Sequence, residues 1–132
     1  MTIVIHHNPD CGTSRNVLEM IKSAGEHPII INYLKTGWTK PYLQSIFAAA
    51  DLTPRQALRT TKSPAEELGL LDESVDDEAL LDAMIKHPVL VNRPIVCSPK
   101  GVRLCRPSEK VLDLLDADIG TFIKEDGEKV VN

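Results

Sequence analysis

The 132-residue sequence has no apolar run near the roughly 18 residues that a membrane-spanning helix needs. Its N-terminus has no basic segment followed by an apolar one, which argues against a secretory signal. Positive charge is not in excess: 15 Lys and Arg face 19 Asp and Glu, for a net charge of −4. That argues against a nucleic acid or a membrane surface as a partner found through bulk electrostatics, while leaving room for a local basic pocket. Cysteine is scarce. Cys11, Cys97 and Cys105 are odd in number and widely spaced, unlike a secreted disulfide framework, so a reducing cytoplasm is the expected compartment. The histidines His6, His7, His27 and His87 lack ligand spacing, so neither zinc nor another bound cofactor is expected. There is no internal repeat or low-complexity tract, and oligomeric state is unknown. With 42% hydrophobic residues the chain can bury a core, and one domain is expected over residues 1–132.

Ile3-Val4-Ile5 reads as a short buried strand. Val17, Leu18, Ile21 and Ala24 then recur at helical spacing, and Gly25 suits the stop. Pro28 to Tyr33 reads as a second strand. Thr39 can cap a helix whose apolar face is Leu43, Ile46, Phe47 and Ala50. A helical insertion with several restarts is predicted at about 51–87. Thr53-Pro54 and the capping box Ser63-Pro64-Ala65-Glu66 begin two of its pieces. Leu80, Leu81, Met84 and Ile85 mark a third, ending before Pro88. Asp72, Glu73, Asp76, Asp77 and Glu78 read as a solvated acidic face with capping duty. Val89-Leu90-Val91 leads to Arg93-Pro94, then to a hairpin from Ile95 to Arg106. A last helix carries Val111, Leu112, Leu114 and Leu115. The polar tail from 116 to 132 is expected to be the loosest part. The order β-α-β-α, insertion, β-β-α predicts an α/β fold with a mixed four-stranded sheet and flanking helices, the thioredoxin-like arrangement.

Cys11 sits between the first strand and the first helix, in His6-His7-Asn8-Pro9-Asp10-Cys11-Gly12-Thr13-Ser14-Arg15. A thiol at an open helix N-terminus ionises more readily, and the same backbone N–H groups favour an oxyanion. The polar neighbours argue for a displayed thiol rather than a packed one. Asp10 opposes thiolate formation. Position 14 is Ser, so there is no Cys-x-x-Cys dithiol and the electrons must come from elsewhere. Nor is this a Cys-x5-Arg phosphatase loop, since Arg15 follows after three residues. His7 either tunes Cys11 or caps the strand.

If Lys100-Gly101 form a two-residue hairpin loop, opposed positions sum to 201. Cys97 and Cys105 then fall on opposite sheet faces, able to form neither a disulfide nor a joint metal site. Both read as packed thiols. The same register puts Arg93 and Arg106 on one face as diagonal neighbours. Two guanidiniums there either bracket an anion or line an ordinary solvated edge with carboxylate partners.

His7 to Asn16, Arg59 after Ala57-Leu58, Asn92-Arg93-Pro94-Ile95-Val96, Arg103 to Glu109, and Lys124 to Val131 together resemble the glutaredoxin-linked arsenate reductase family over nearly the whole chain. The resemblance implies that Cys11 is the nucleophile and that Arg59, Arg93 and Arg106 bind the oxyanion. It further implies that His7 lowers the thiol pKa and that Ser14 and Arg15 belong to the anion-binding loop. Arsenate, glutathione as co-substrate, and glutaredoxin are the implied partners, and arsenical resistance the implied role. Two other readings are a glutathione-dependent reductase of another acceptor, and a redox-responsive adaptor of the same fold. The adaptor is disfavoured because such relatives rely on a Cys-x-x-Cys switch.

Overall fold

Strand β1 (Val4–His7) is the organising element of a computed structural model that describes all residues, Met1–Asn132. It pairs in parallel with β2 (Ile29–Asn32) and antiparallel with β3 (Ile95–Ser98), which pairs antiparallel with β4 (Gly101–Leu104). The sheet order is β2-β1-β3-β4. A parallel pair needs a crossover, and helix α1 (Gly12–Ser23) supplies it. Its inward residues Val17, Met20 and Ile21 are fully buried among Ile3, Ile5, Val96, Cys105 and Val111. Gly25, at φ 81°, lies just beyond the helix in the left-handed conformation a C′ residue adopts.

The hairpin turns at Pro99-Lys100 rather than Lys100-Gly101. Ser98 pairs with Gly101 and Cys97 with Val102, so opposed positions sum to 199. The reason is local. Proline presets φ for the first turn position and cannot donate in a ladder, and Ser98 Oγ accepts from the Lys100 amide at 3.1 Å. The register moves by two residues, an even shift, so facing parity is kept. Cys97 and Cys105 remain on opposite faces.

The expected last helix is present as a 3-10 helix, Ser108–Leu114. Its buried residues Ser108, Val111 and Leu114 recur every three positions, the period at which a 3-10 helix stacks side chains on one face. The tail contains a further hairpin, β5 (Thr121–Ile123) and β6 (Lys129–Val131). Its paired Phe122 and Val130 turn to the core, while Ile123 and Val131 turn outward. All these elements belong to one compact unit, Met1–Asn32 with Arg93–Asn132.

Residues Tyr33–Asn92 form a second compact unit, larger than the insertion expected at 51–87. It holds α2 (Tyr33–Thr36), α3 (Lys40–Ala50), α4 (Asp77–Lys86) and a 3-10 turn at Pro88–Leu90. Thr39 Oγ1 caps α3 at the Tyr42 amide, and Asp76 Oδ1 caps α4 at the Ala79 amide. The other predicted restarts close single turns only. Thr53 and Gln56 make the reciprocal capping bonds. The chain then turns away, because Leu58 bridges Val91 and the Arg59 and Asn92 amides donate to Leu90 and Ala57 carbonyls at 2.8 Å. Arg55 braces the remaining loop by donating to the carbonyls of Leu70, Asp72 and Val75. No helix of the chain is long and apolar enough to cross a membrane.

Candidate active site

Cys11 is the N-cap of α1, in extended conformation at φ −103° and ψ 121°, and its carbonyl accepts the first helical bond from the Arg15 amide. It makes no side-chain cap, so its sulfur faces the open amides of the first turn. Burial pushes the thiol pKa up. The Ser14 amide, the charge and hydrogen bond of Arg93, and the Thr13 amide outweigh it, and the net position is below the ordinary thiol value. Asp10 is exposed, and the displacement is downward despite it. Cys11 is only 7% exposed, which limits solvent screening of these dipoles.

Arg106 completes the arrangement. Its Nη1 lies 3.7 Å from Cys11 Sγ and donates to the Arg93 carbonyl at 3.2 Å. The ladder ends at the Ile95–Leu104 pair, and just beyond it the Arg106 side chain reaches the Arg93 backbone, so the two arginines are neighbours and both act on the thiol. The peptide bonds to Pro94 and Pro107, which follow them, are both cis.

His7 and Ser14 form an inner pair. His7 Nδ1 is 2.7 Å from Ser14 Oγ, which also accepts from the Asn8 amide at 3.0 Å. Burial, with help from the charges of Arg15 and Lys22, lowers the His7 pKa, so the ring is neutral at neutral pH. The Ser14 hydroxyl is thus committed to the loop behind Cys11, and its amide to the sulfur. Asn8 was not singled out in the sequence. Its carbonyl accepts from the Cys11 amide and its Oδ1 from the Asp10 amide. The Asn-Pro-Asp turn composition was the available signal.

Arg15 has protein partners of its own. Its Nε and Nη2 donate to Glu125 at 2.7 and 2.9 Å, and Nη1 donates to the Pro9 carbonyl at 2.8 Å. All three nitrogens are engaged. Arg59 lies in the second unit, where its Nε donates to the Thr61 carbonyl.

The other thiols are poor nucleophiles. Burial pushes the Cys105 pKa up to about 12, and it also raises that of Cys97. Nowhere do three or more His, Cys, Asp or Glu side chains converge as a metal site.

Comparison with known proteins identifies the family. The ArsC family matches residues 6–114. The chain is 69% identical to arsenate reductase ArsI2 of Synechocystis, over 98% of this chain and 94% of that one. It is 53% identical to the arsenate reductase of Escherichia coli K12, over 98% and 93%. Among solved structures, arsenate reductase from Vibrio cholerae superposes with a TM-score of 0.82 at 37% identity, over 87% of this chain and 98% of that one. With a thioredoxin-like sheet, a buried low-pKa cysteine at a helix N-terminus and matches of this extent, the chain belongs to the ArsC family.

Proposed function

We propose that this protein is an oxidoreductase that reduces arsenate to arsenite, with Cys11 as the nucleophile. The observation that carries the reading is the Cys11 sulfur, held between first-turn amides and the guanidiniums of Arg93 and Arg106. Fixed donors around a nucleophile suit a tetrahedral oxyanion, because they meet charge that would otherwise repel the thiolate. The names of the relatives agree.

The thiolate attacks arsenic and expels hydroxide, which leaves as water after protonation, giving a Cys11 thiol-arsenate. Arg93 and Arg106 stabilise the charged adduct. Arg59 contributes a third positive charge to substrate binding, a role that rests on the family resemblance. Arg15 gives three of its five N–H donors to Glu125 and Pro9, so its place in the anion-binding loop rests on the two that remain and on the family resemblance. His7 supports the thiolate through Ser14, as a positioning residue rather than a charged partner.

Two electrons must then reach arsenic. Cys105 and Cys97 are held protonated and no second thiol is in the motif, so an external thiol is required. Glutathione adds to the arsenic adduct and displaces a second oxygen as water, and a glutaredoxin thiolate attacks the glutathione sulfur, forming a mixed disulfide as the As–S electron pair stays on arsenic. Water then displaces the Cys11 sulfur from As(III), so arsenite leaves and Cys11 returns to thiolate. In sum, two thiols become one disulfide and As(V) becomes As(III).

The test is a coupled assay with arsenate, glutathione, glutaredoxin, glutathione reductase and NADPH. Arsenate-dependent NADPH loss that vanishes in Cys11→Ser is expected. No turnover, or turnover that survives the substitution, overturns the reading.

A further inference from the structure

The β5–β6 hairpin lies beyond the region matched by the family, which ends at residue 114, yet it reaches the loop that presents Cys11. Three contacts tie it there. Glu125 receives the bidentate pair from Arg15, whose remaining nitrogen holds the Pro9 carbonyl two residues before Cys11. The Glu125 amide donates to Asn16 Oδ1 at 3.0 Å, which orients the hairpin against the first turn of α1. The base of the hairpin is itself anchored. Lys124, only 8% exposed, pairs with Glu109 and Glu128, and Val130 packs into the core.

We infer that Glu125 is a positioning residue, which holds Arg15 as a strut between the C-terminal hairpin and Pro9 and thereby fixes the loop that aims Cys11. The inference rests on the proposed nucleophilic role of Cys11. Both partners are about half exposed, so the pair adds little to global stability. Its leverage is geometric. A planar guanidinium with three filled directions allows few orientations, and a small displacement of a nucleophile is costly in rate.

The experiment compares the full-length chain with Glu125→Ala, Arg15→Ala, the double variant and Glu125→Asp. Three quantities are read: kcat and KM for arsenate, the rate of iodoacetamide alkylation at Cys11 near neutral pH, and the urea midpoint. Each alanine variant is expected to lower kcat about tenfold with KM within about threefold, and the double variant to be no worse than either single. Cys11 alkylation in Glu125→Ala should rise several-fold as the loop loosens, while the urea midpoint stays close to that of the parent. Glu125→Asp should recover part of the lost kcat. Unchanged kcat and alkylation, or singles that multiply in the double variant, overturn the inference. So does a raised KM at constant kcat, which would make Arg15 a substrate ligand, or a kcat loss that tracks a falling midpoint. If the parent chain itself turns over no arsenate, the functional reading fails, and the alkylation result alone decides the strut.

Discussion

Arg106 places one nitrogen, Nη1, between the Cys11 sulfur at 3.7 Å and the Arg93 carbonyl at 3.2 Å. One side chain therefore both stabilises the thiolate and fixes the backbone of the other arginine that acts on it. The two arginines are a coupled device rather than two independent charges.

Arg106→Ala and Arg93→Ala should each move the Cys11 thiol pKa upward, because burial is left less opposed. The pH profile of iodoacetamide alkylation reads this directly. Arsenate kcat/KM should fall by about 10²–10³, the usual loss when a fixed donor to a charged transition state is removed. Wild-type behaviour in both variants would refute the hairpin-face arrangement.

Ser14→Ala should destabilise the fold. His7 Nδ1 and the Asn8 amide would both lose their buried partner, at roughly 1–3 kcal/mol for each orphaned group. The thiol pKa should move much less than in the arginine variants, since the Ser14 amide and not its hydroxyl faces the sulfur. Urea unfolding and alkylation profiles separate the two effects.

Stability should decline in acid. His6 and His7 have folded pKa values below the ordinary 6.5, both chiefly through burial. The unfolded chain therefore binds protons first, so stability is fully present above 6.5 and is lost as pH falls through the folded values. Urea midpoints measured downward from neutral pH should show the decline, and His7→Gln should flatten part of it. A midpoint independent of pH across that range would contradict it.

Brief alkylation of the native protein should label one thiol per chain, at Cys11, by mass spectrometry. Cys105, its pKa pushed up to about 12, and Cys97, also raised, should react only after unfolding. Cys97→Ala should leave the need for an external thiol unchanged. Labelling at Cys97 that competes with Cys11 would weaken the case for glutathione as the required reductant.

Arg55→Ala should destabilise the protein by about 2–4 kcal/mol. The change removes three charge-assisted bonds to the Leu70, Asp72 and Val75 carbonyls. Circular dichroism through a urea titration measures it, and a loss within error of zero would show that the loop closes without the guanidinium.

Local order was legible wherever a short-range signal decided it. The amphipathic period of α1, the Thr39 cap, the Asp76 cap and the Gly25 stop each appear where the residues indicated. Cys11 at the helix mouth and the shared face of Arg93 and Arg106 follow from strand parity and helix polarity, and parity survived an even register error at Pro99. The capping signals at Thr53 and Ser63 were real but too weak to extend a helix once the Leu58–Val91 bridge redirected the chain.

Sequence by itself thus indicated a cysteine at the mouth of α1, the lack of a second thiol in its motif and the order of the elements, because helix mouths, missing thiols and apolar periods are properties of neighbouring residues. Tertiary structure alone decided that Arg15 belongs to Glu125, 110 residues away, and that Ser14 serves His7 through its hydroxyl and Cys11 through its amide. A guanidinium or a hydroxyl takes whichever acceptor the folded chain brings within hydrogen-bond reach, and no spacing in the linear sequence encodes that choice.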